Sequence, residues 1–324
     1  MIARDPAALL DEARRGSRTS LARLVTYVES GGAQHRATVA LAYAASAPYV
    51  VGITGPPGAG KSTLTDRLIT TALARGRVGQ EERFDQVGVL CVDPSSPFSG
   101  GAILGDRIRM QDHATNDAVF IRSMATRGHL GGLSLAVPDA LRVLGATNFP
   151  FVFVETVGVG QMEVEIASAA DTTLVVVNPG WGDSIQANKA GLLEIADIFV
   201  INKADRPGAA ETRRDLDNML DMTSTMGEWR PPIVPTVAAT GEGVAELWTV
   251  IGDHRAFLER SGELAERRRR RVLDQLSEVL IRRVEAKVRQ LEGGRVYERV
   301  RDAVIAGDID PYAAADELLG KLGL

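Results

Sequence analysis

Seven short apolar runs punctuate the middle of the chain, at residues 49–54, 87–92, 118–122, 150–155, 172–177, 197–201 and 232–236. Amphipathic stretches separate them. That alternation predicts strands joined by helices in an α/β fold, a doubly wound, mostly parallel sheet with ligands at the strand C-terminal ends. Residues 1–46 are polar and alanine-rich, and Leu9, Leu10, Ala13, Leu21 and Leu24 form an apolar stripe at helical spacing, with Thr19 or Ser20 as the expected cap. Residues 253–324 change character again. Val272, Leu273, Leu276, Val279 and Leu280 continue a helical pattern until Gly293-Gly294 breaks it, and a shorter helix is predicted over 311–322 with Pro311 at its start. Three segments result: a helical extension over 1–46, a central domain over 47–252 and a C-terminal helical arm over 253–324, of a kind that often serves oligomerisation.

Chemistry enters at the end of the first run. Gly55-Pro56-Pro57-Gly58-Ala59-Gly60-Lys61-Ser62-Thr63 is a complete Walker A loop between a predicted strand and a predicted helix. Its glycines let the backbone wrap an anion, and the N–H groups at the helix start face the phosphates. Lys61 reaches the β/γ-phosphates in such a loop, and the Ser62 hydroxyl ligates Mg²⁺. At the end of the sixth run stands Asn202-Lys203-Ala204-Asp205, the Asn-Lys-x-Asp pattern of guanine recognition. A carboxylate at Asp205 accepts from guanine N1–H and from the exocyclic amine. Adenine offers neither donor there, so it would leave the carboxylate unpaired. GTP and GDP are therefore the expected ligands.

Three acidic residues follow strands or glycine-rich turns: Asp93 in Asp93-Pro94-Ser95-Ser96, Asp106 in Gly105-Asp106-Arg107, and Glu155 in Glu155-Thr156-Val157-Gly158. Magnesium takes oxygen ligands and keeps several waters. Ser62 with one or two of Asp93, Asp106 and Glu155, partly through water, meets that need. Lys61, Asp106 and Glu155 are the expected catalytic set. The glycines around Asp106 and Glu155 suggest loops that move with nucleotide state. Val159 follows Gly158, where many small GTPases carry the water-orienting glutamine, and Gln161 comes two residues later. Arg107, Arg109, Arg122 and Arg127 are candidates for stabilising charge on the γ-phosphate. A site so equipped should turn over slowly alone and faster when a partner orders it.

Composition narrows the classes. The chain has 324 residues, 45% hydrophobic and 24% charged, enough for a large core. A net charge of −5 gives no overall attraction to nucleic acid or an anionic membrane. Arg267 to Arg271 are flanked by Glu263, Glu266, Asp274 and Glu278, which suits a solvated helix face. Cys91 is the single cysteine, so no internal disulfide exists and a reducing cytoplasm is expected. No run of 18 apolar residues is present, and Met1-Ile2-Ala3-Arg4-Asp5 lacks a signal-peptide core. The four histidines form no metal-spaced cluster, which counts against a metallochaperone GTPase. Asp205 counts against a transport-associated ATPase or kinase.

Taken together, the Walker A loop, Val92-Asp93-Pro94-Ser95-Ser96, Gly101-x-Ile103-Leu104-Gly105-Asp106, Glu155-Thr156-Val157-Gly158-Val159-Gly160-Gln161 and Asn202-Lys203-Ala204-Asp205 closely resemble the MeaB/ArgK family of P-loop GTPases. The family includes the methylmalonic aciduria type A protein. The resemblance implies a SIMIBI-class GTPase that forms a homodimer through C-terminal helices. It also implies a G-protein chaperone that gates cofactor loading of an adenosylcobalamin-dependent acyl-CoA mutase, usually methylmalonyl-CoA mutase. By the same likeness Val237-Ala238-Ala239 is the base-contacting loop, where members often carry Ser-Ala. Two segments depart from the pattern, Pro97-Phe98-Ser99 and Trp181-Gly182-Asp183-Ser184-Ile185-Gln186-Ala187-Asn188-Lys189, and both belong to loops implied to touch the partner.

Overall fold

The computed structural model describes residues 4–75, 85–94, 113, 115–126, 136–156, 162–180, 189–222, 228–291 and 294–322. Asp106, Arg107, Arg109, Arg127, Val159, Gln161 and the 181–188 segment lie outside them. All seven expected strands are present: β1 (Tyr49–Thr54), β2 (Val87–Pro94), β3 (Val119–Thr126), β4 (Phe151–Thr156), β5 (Thr172–Val177), β6 (Ile198–Asn202) and β7 (Ile233–Thr236). They form one sheet in the order β3-β2-β4-β1-β5-β6-β7, and every neighbouring pair is parallel. The chain builds outward from β1 on one side, returns, and completes the sheet on the other. That reversal makes the C-terminal end of β1 the topological switch point, where α/β sheets bind ligands.

Why the strands read as unbroken apolar runs is visible in the core. Along β4, Val152 and Val154 face one layer, while Phe151 and Phe153 face the other. Both faces are covered, so neither needs polar residues. The first layer holds α5 (Ala136–Ala146) and α6 (Met162–Ala169), together with α1 (Pro6–Arg14), α2 (Arg18–Ser30) and α3 (Gly32–Ala42). Leu9, Leu10, Ala13, Leu21 and Leu24 are all buried there, so the N-terminal stripe closes the main core. The cap of α2 differs from expectation. Ser17, not Thr19 or Ser20, accepts the Ser20 amide (3.3 Å), while the Ser20 hydroxyl donates to Glu12. Ser17 precedes the helix and is free to take the extended conformation that a cap requires.

The opposite layer holds α4 (Lys61–Arg75) and α9 (Val244–Ser261), and α7 (Lys189–Ile195) and α8 (Ala209–Met222) cover the β5–β6 end. Cys91 is buried in this core. Residues through Glu266 form one compact unit and those from Arg267 a second, the division falling inside α10 (Glu263–Leu291). In the second unit, α11 (Arg295–Ala306) packs on α12 (Pro311–Leu322), burying Val300 and Ala314, and Arg299 pairs with Glu317. The Asp310 carboxylate caps α12 by accepting the Tyr312 and Ala313 amides at 2.8 and 3.1 Å. Among the described residues no helix is long and apolar enough to cross a membrane.

Candidate functional site

β1 ends at Thr54, and the chain turns through Gly55–Gly60 into α4. Two glycines make this turn possible. A Cβ on Gly55 would lie 2.0 Å from the Val176 carbonyl oxygen, and one on Gly60 would lie 2.4 Å from the Asn202 Nδ2. Both also have positive φ, +133° and +90°. The Lys61 ammonium donates to the carbonyls of Gly55 (2.8 Å) and Pro56 (3.1 Å). It thus lies along the loop that its sequence position assigns to phosphate.

Asn202, the last residue of β6, joins three segments. Its Nδ2 donates to the Ala59 carbonyl in the Walker loop (2.8 Å). Its Oδ1 accepts from the Ala238 amide (3.0 Å) and the Thr236 hydroxyl (3.2 Å). The residue is 1% exposed, so these bonds form away from water, where leaving one unmade is costly. Lys203 adds a second tie. It adopts φ +59°, an uncommon conformation for a side-chain-bearing residue, and its Nζ donates to Gly58 O at 2.6 Å. Asp205 is exposed beyond it, presenting a carboxylate to solvent. The structure therefore brings the Walker loop, residues 202–205 and residues 237–239 to one end of the sheet.

Glu155 closes the other side. It sits in β4 beside Ile53 of β1 and Cys91 of β2, and it is 2% exposed. The Ser62 hydroxyl donates to its Oε1 at 2.5 Å, and the Thr65 hydroxyl lies 2.9 Å from its Oε2. Thr65 is also 2.9 Å from Lys61 O, and its single proton serves one acceptor at a time. Thr65 had no role in the sequence reading, although its spacing from Ser62 puts both on one face of α4. Asp93 is placed at the same sheet end, the penultimate residue of β2. Arg122, a candidate for phosphate stabilisation, pairs instead with Glu29 of α2. Among the described residues no group of three or more His, Cys, Asp or Glu could hold a metal. The available donors near Ser62 are hydroxyl and carboxylate oxygens. That is the hard donor set Mg²⁺ takes when phosphates and waters complete its shell.

Comparison with known proteins agrees with this geometry. Residues 21–292 match the model of the family described as methylmalonyl Co-A mutase-associated GTPase MeaB. A Pyrococcus abyssi protein named as a GTPase is 49% identical over 322 residues, covering 97% of this chain and 96% of its own. GTPase ArgK of Escherichia coli is 37% identical, covering 81% and 80%. The mouse methylmalonic aciduria type A homolog, mitochondrial, is 32% identical, covering 84% and 65%. A crystal structure titled as a LAO/AO transport system kinase superposes with a TM-score of 0.70 at 26% identity, covering 100% of both chains. The chain is a P-loop GTPase and belongs to the MeaB family.

Proposed function

We propose that this GTPase is a nucleotide-driven chaperone for an adenosylcobalamin-dependent acyl-CoA mutase, gating the loading and protection of its cofactor. The observation that carries the reading is the family match over residues 21–292, whose description names methylmalonyl Co-A mutase. Within the site, Lys61 and the loop amides hold the phosphates. Asp205 reads the guanine N1–H and 2-amino group, while the 237–239 loop faces its 6-oxo edge. Ser62, Glu155, Asp93 and Asp106 are the proposed holders of Mg²⁺, which when bound would neutralise negative charge on the phosphates. Glu155 is well placed for coupling. Its carboxylate meets the Ser62 hydroxyl, and two residues later the chain enters the 157–161 segment. A partner gripping that segment would act on the group beside Ser62, and linkage requires that nucleotide act back on the partner.

The same reading includes a homodimer through the C-terminal arm. Leu273, Leu276, Leu280, Ile281 and Val284 on α10 are 48, 54, 54, 58 and 37% exposed, an apolar stripe suited to a second copy. Light scattering should give twice the chain mass. For the chaperone function, GTP turnover is measured with and without purified cobalamin-dependent mutase from the same organism, in apo and cofactor-loaded forms. Turnover should rise at least several-fold. Asp106→Ala and Glu155→Ala should lose this response more completely than basal nucleotide binding. No change in turnover, nucleotide affinity or cofactor transfer would refute the chaperone reading.

A further inference from the structure

On α4, two turns beyond the Walker loop's Gly60, stands Arg67. Its guanidinium reaches across to the 237–239 loop. Nε donates to Ala238 O at 3.1 Å and Nη2 to Ala239 O at 3.0 Å. Two donors of one rigid fork on two successive carbonyls fix both peptide planes at once. The amides of this loop are otherwise accounted for. Val237 N–H donates to Glu242 O, Ala238 N–H to Asn202 Oδ1 and Thr240 N–H to Val237 O. Among the described residues the Ala239 N–H has no acceptor. In a trans peptide C=O and N–H point in opposite directions. By drawing Ala238 O towards α4, Arg67 turns the Ala239 N–H away from that helix.

We infer that Arg67 is a positioning residue for base recognition, holding the Ala239 N–H as the donor to the guanine 6-oxo group. The inference rests on the proposed base site, Asp205 with residues 237–239. It adds a specificity determinant from the phosphate-binding helix. The helix whose start is proposed to serve the phosphates thereby sets, from two turns further on, the orientation of the loop proposed to read the base. Arg67 touches no nucleotide atom in this role; it acts through the backbone.

The test separates base edges. Affinities for GDP, 6-thio-GDP and IDP are measured by calorimetry on wild type, Arg67→Ala and Arg67→Lys, with thermal midpoints confirming folding. 6-Thio-GDP weakens the acceptor at position 6 and keeps N1–H and the 2-amino group. IDP lacks the 2-amino group and keeps the 6-oxo group. Wild type should prefer GDP over both. Arg67→Ala should bind GDP about tenfold more weakly, ~1.4 kcal/mol. Its preference for GDP over 6-thio-GDP should fall close to one, while its preference for GDP over IDP persists. Arg67→Lys, a single compact donor group, should fall between the two. Equal losses for GDP and 6-thio-GDP, or unchanged GDP affinity, would overturn the inference. A wild type with no preference for GDP over IDP would instead overturn the Asp205 reading and the inference with it.

Discussion

Asn202→Ala should destabilise the nucleotide-free protein, an effect separable from any loss of binding. Asn202 spends its amide on Ala59 O and its carbonyl on the Ala238 N–H and the Thr236 hydroxyl, at 2.8, 3.0 and 3.2 Å. Truncation leaves the first two backbone groups unpaired, whereas the Thr236 hydroxyl can rotate to another acceptor. Ala59 and Ala238 are 0 and 2% exposed, so water reaches them poorly. An abandoned buried partner costs about 1–3 kcal/mol, and two at the lower half of that range give about 2–4 kcal/mol. In a unit of this size each kcal/mol moves Tm by about 2–4 °C, so a fall of roughly 4–16 °C is expected. Thermal and denaturant unfolding without nucleotide check this, the denaturant midpoint falling while the slope stays constant. Asn202→Asp keeps the acceptor for Ala238 N–H but sets a carboxylate against the Ala59 carbonyl, so it should not rescue stability. A Tm within about 2 °C of wild type for Asn202→Ala would show that the three segments hold together without this amide.

Three further outcomes are expected. Lys61→Ala should abolish tight GDP and GTP binding while the fold stays intact, with a drop in nucleotide-free Tm only from the Gly55 and Pro56 carbonyls left without its ammonium; calorimetry showing wild-type affinity would overturn the phosphate assignment. Asp205→Asn should weaken guanine nucleotides by about 2–4 kcal/mol and favour xanthine nucleotides, whose 2-oxo group accepts from an amide; competition binding in which the variant still prefers GDP over XDP would contradict it. Burial pushes the Tyr49 phenol well above its ordinary value, against the opposing effect of its 2.6 Å hydrogen bond with Thr172. The folded state therefore keeps this proton longer than the unfolded chain. The associated stability is complete below pH ~10 and lost above it, at up to about 1.4 kcal/mol per pH unit. Unfolding midpoints from pH 8 to 11 should show that slope flattened in Tyr49→Phe, and an unchanged slope would refute the attribution.

The parts of this site differ in how openly the chain displays them, and the reason is sequence distance. The Walker loop was legible because strand, glycines and helix are contiguous, and the seven strands because an apolar run covered on both faces needs no long-range information. Thr65 was nearly legible, since i,i+3 spacing on α4 joins it to Ser62. Arg67 was not. An arginine on an amphipathic helix reads as a solvated residue, and its carbonyl partners lie 171 and 172 positions away. Asn202 was readable as part of a base motif but not as a tie to Ala59, 143 positions away. The contacts of Asn202 and Arg67 with the 237–239 loop exist because β6 and β7 pair in a register that sets Asn202 opposite Thr236, whereas the tie to Ala59 follows from the pairing of β1 with β5 and of β5 with β6. A one-residue slip would turn every side chain of β7 to the other face and carry the 237–239 loop away from both Asn202 and Arg67. Ile233 and Val234 oppose that slip by packing into separate cores on the two faces of the sheet. Burial of two aliphatic side chains at the sheet edge thus sets the position of the loop proposed to read the base. Substitutions that loosen β7 should therefore weaken guanine selectivity without touching a single residue of the pocket.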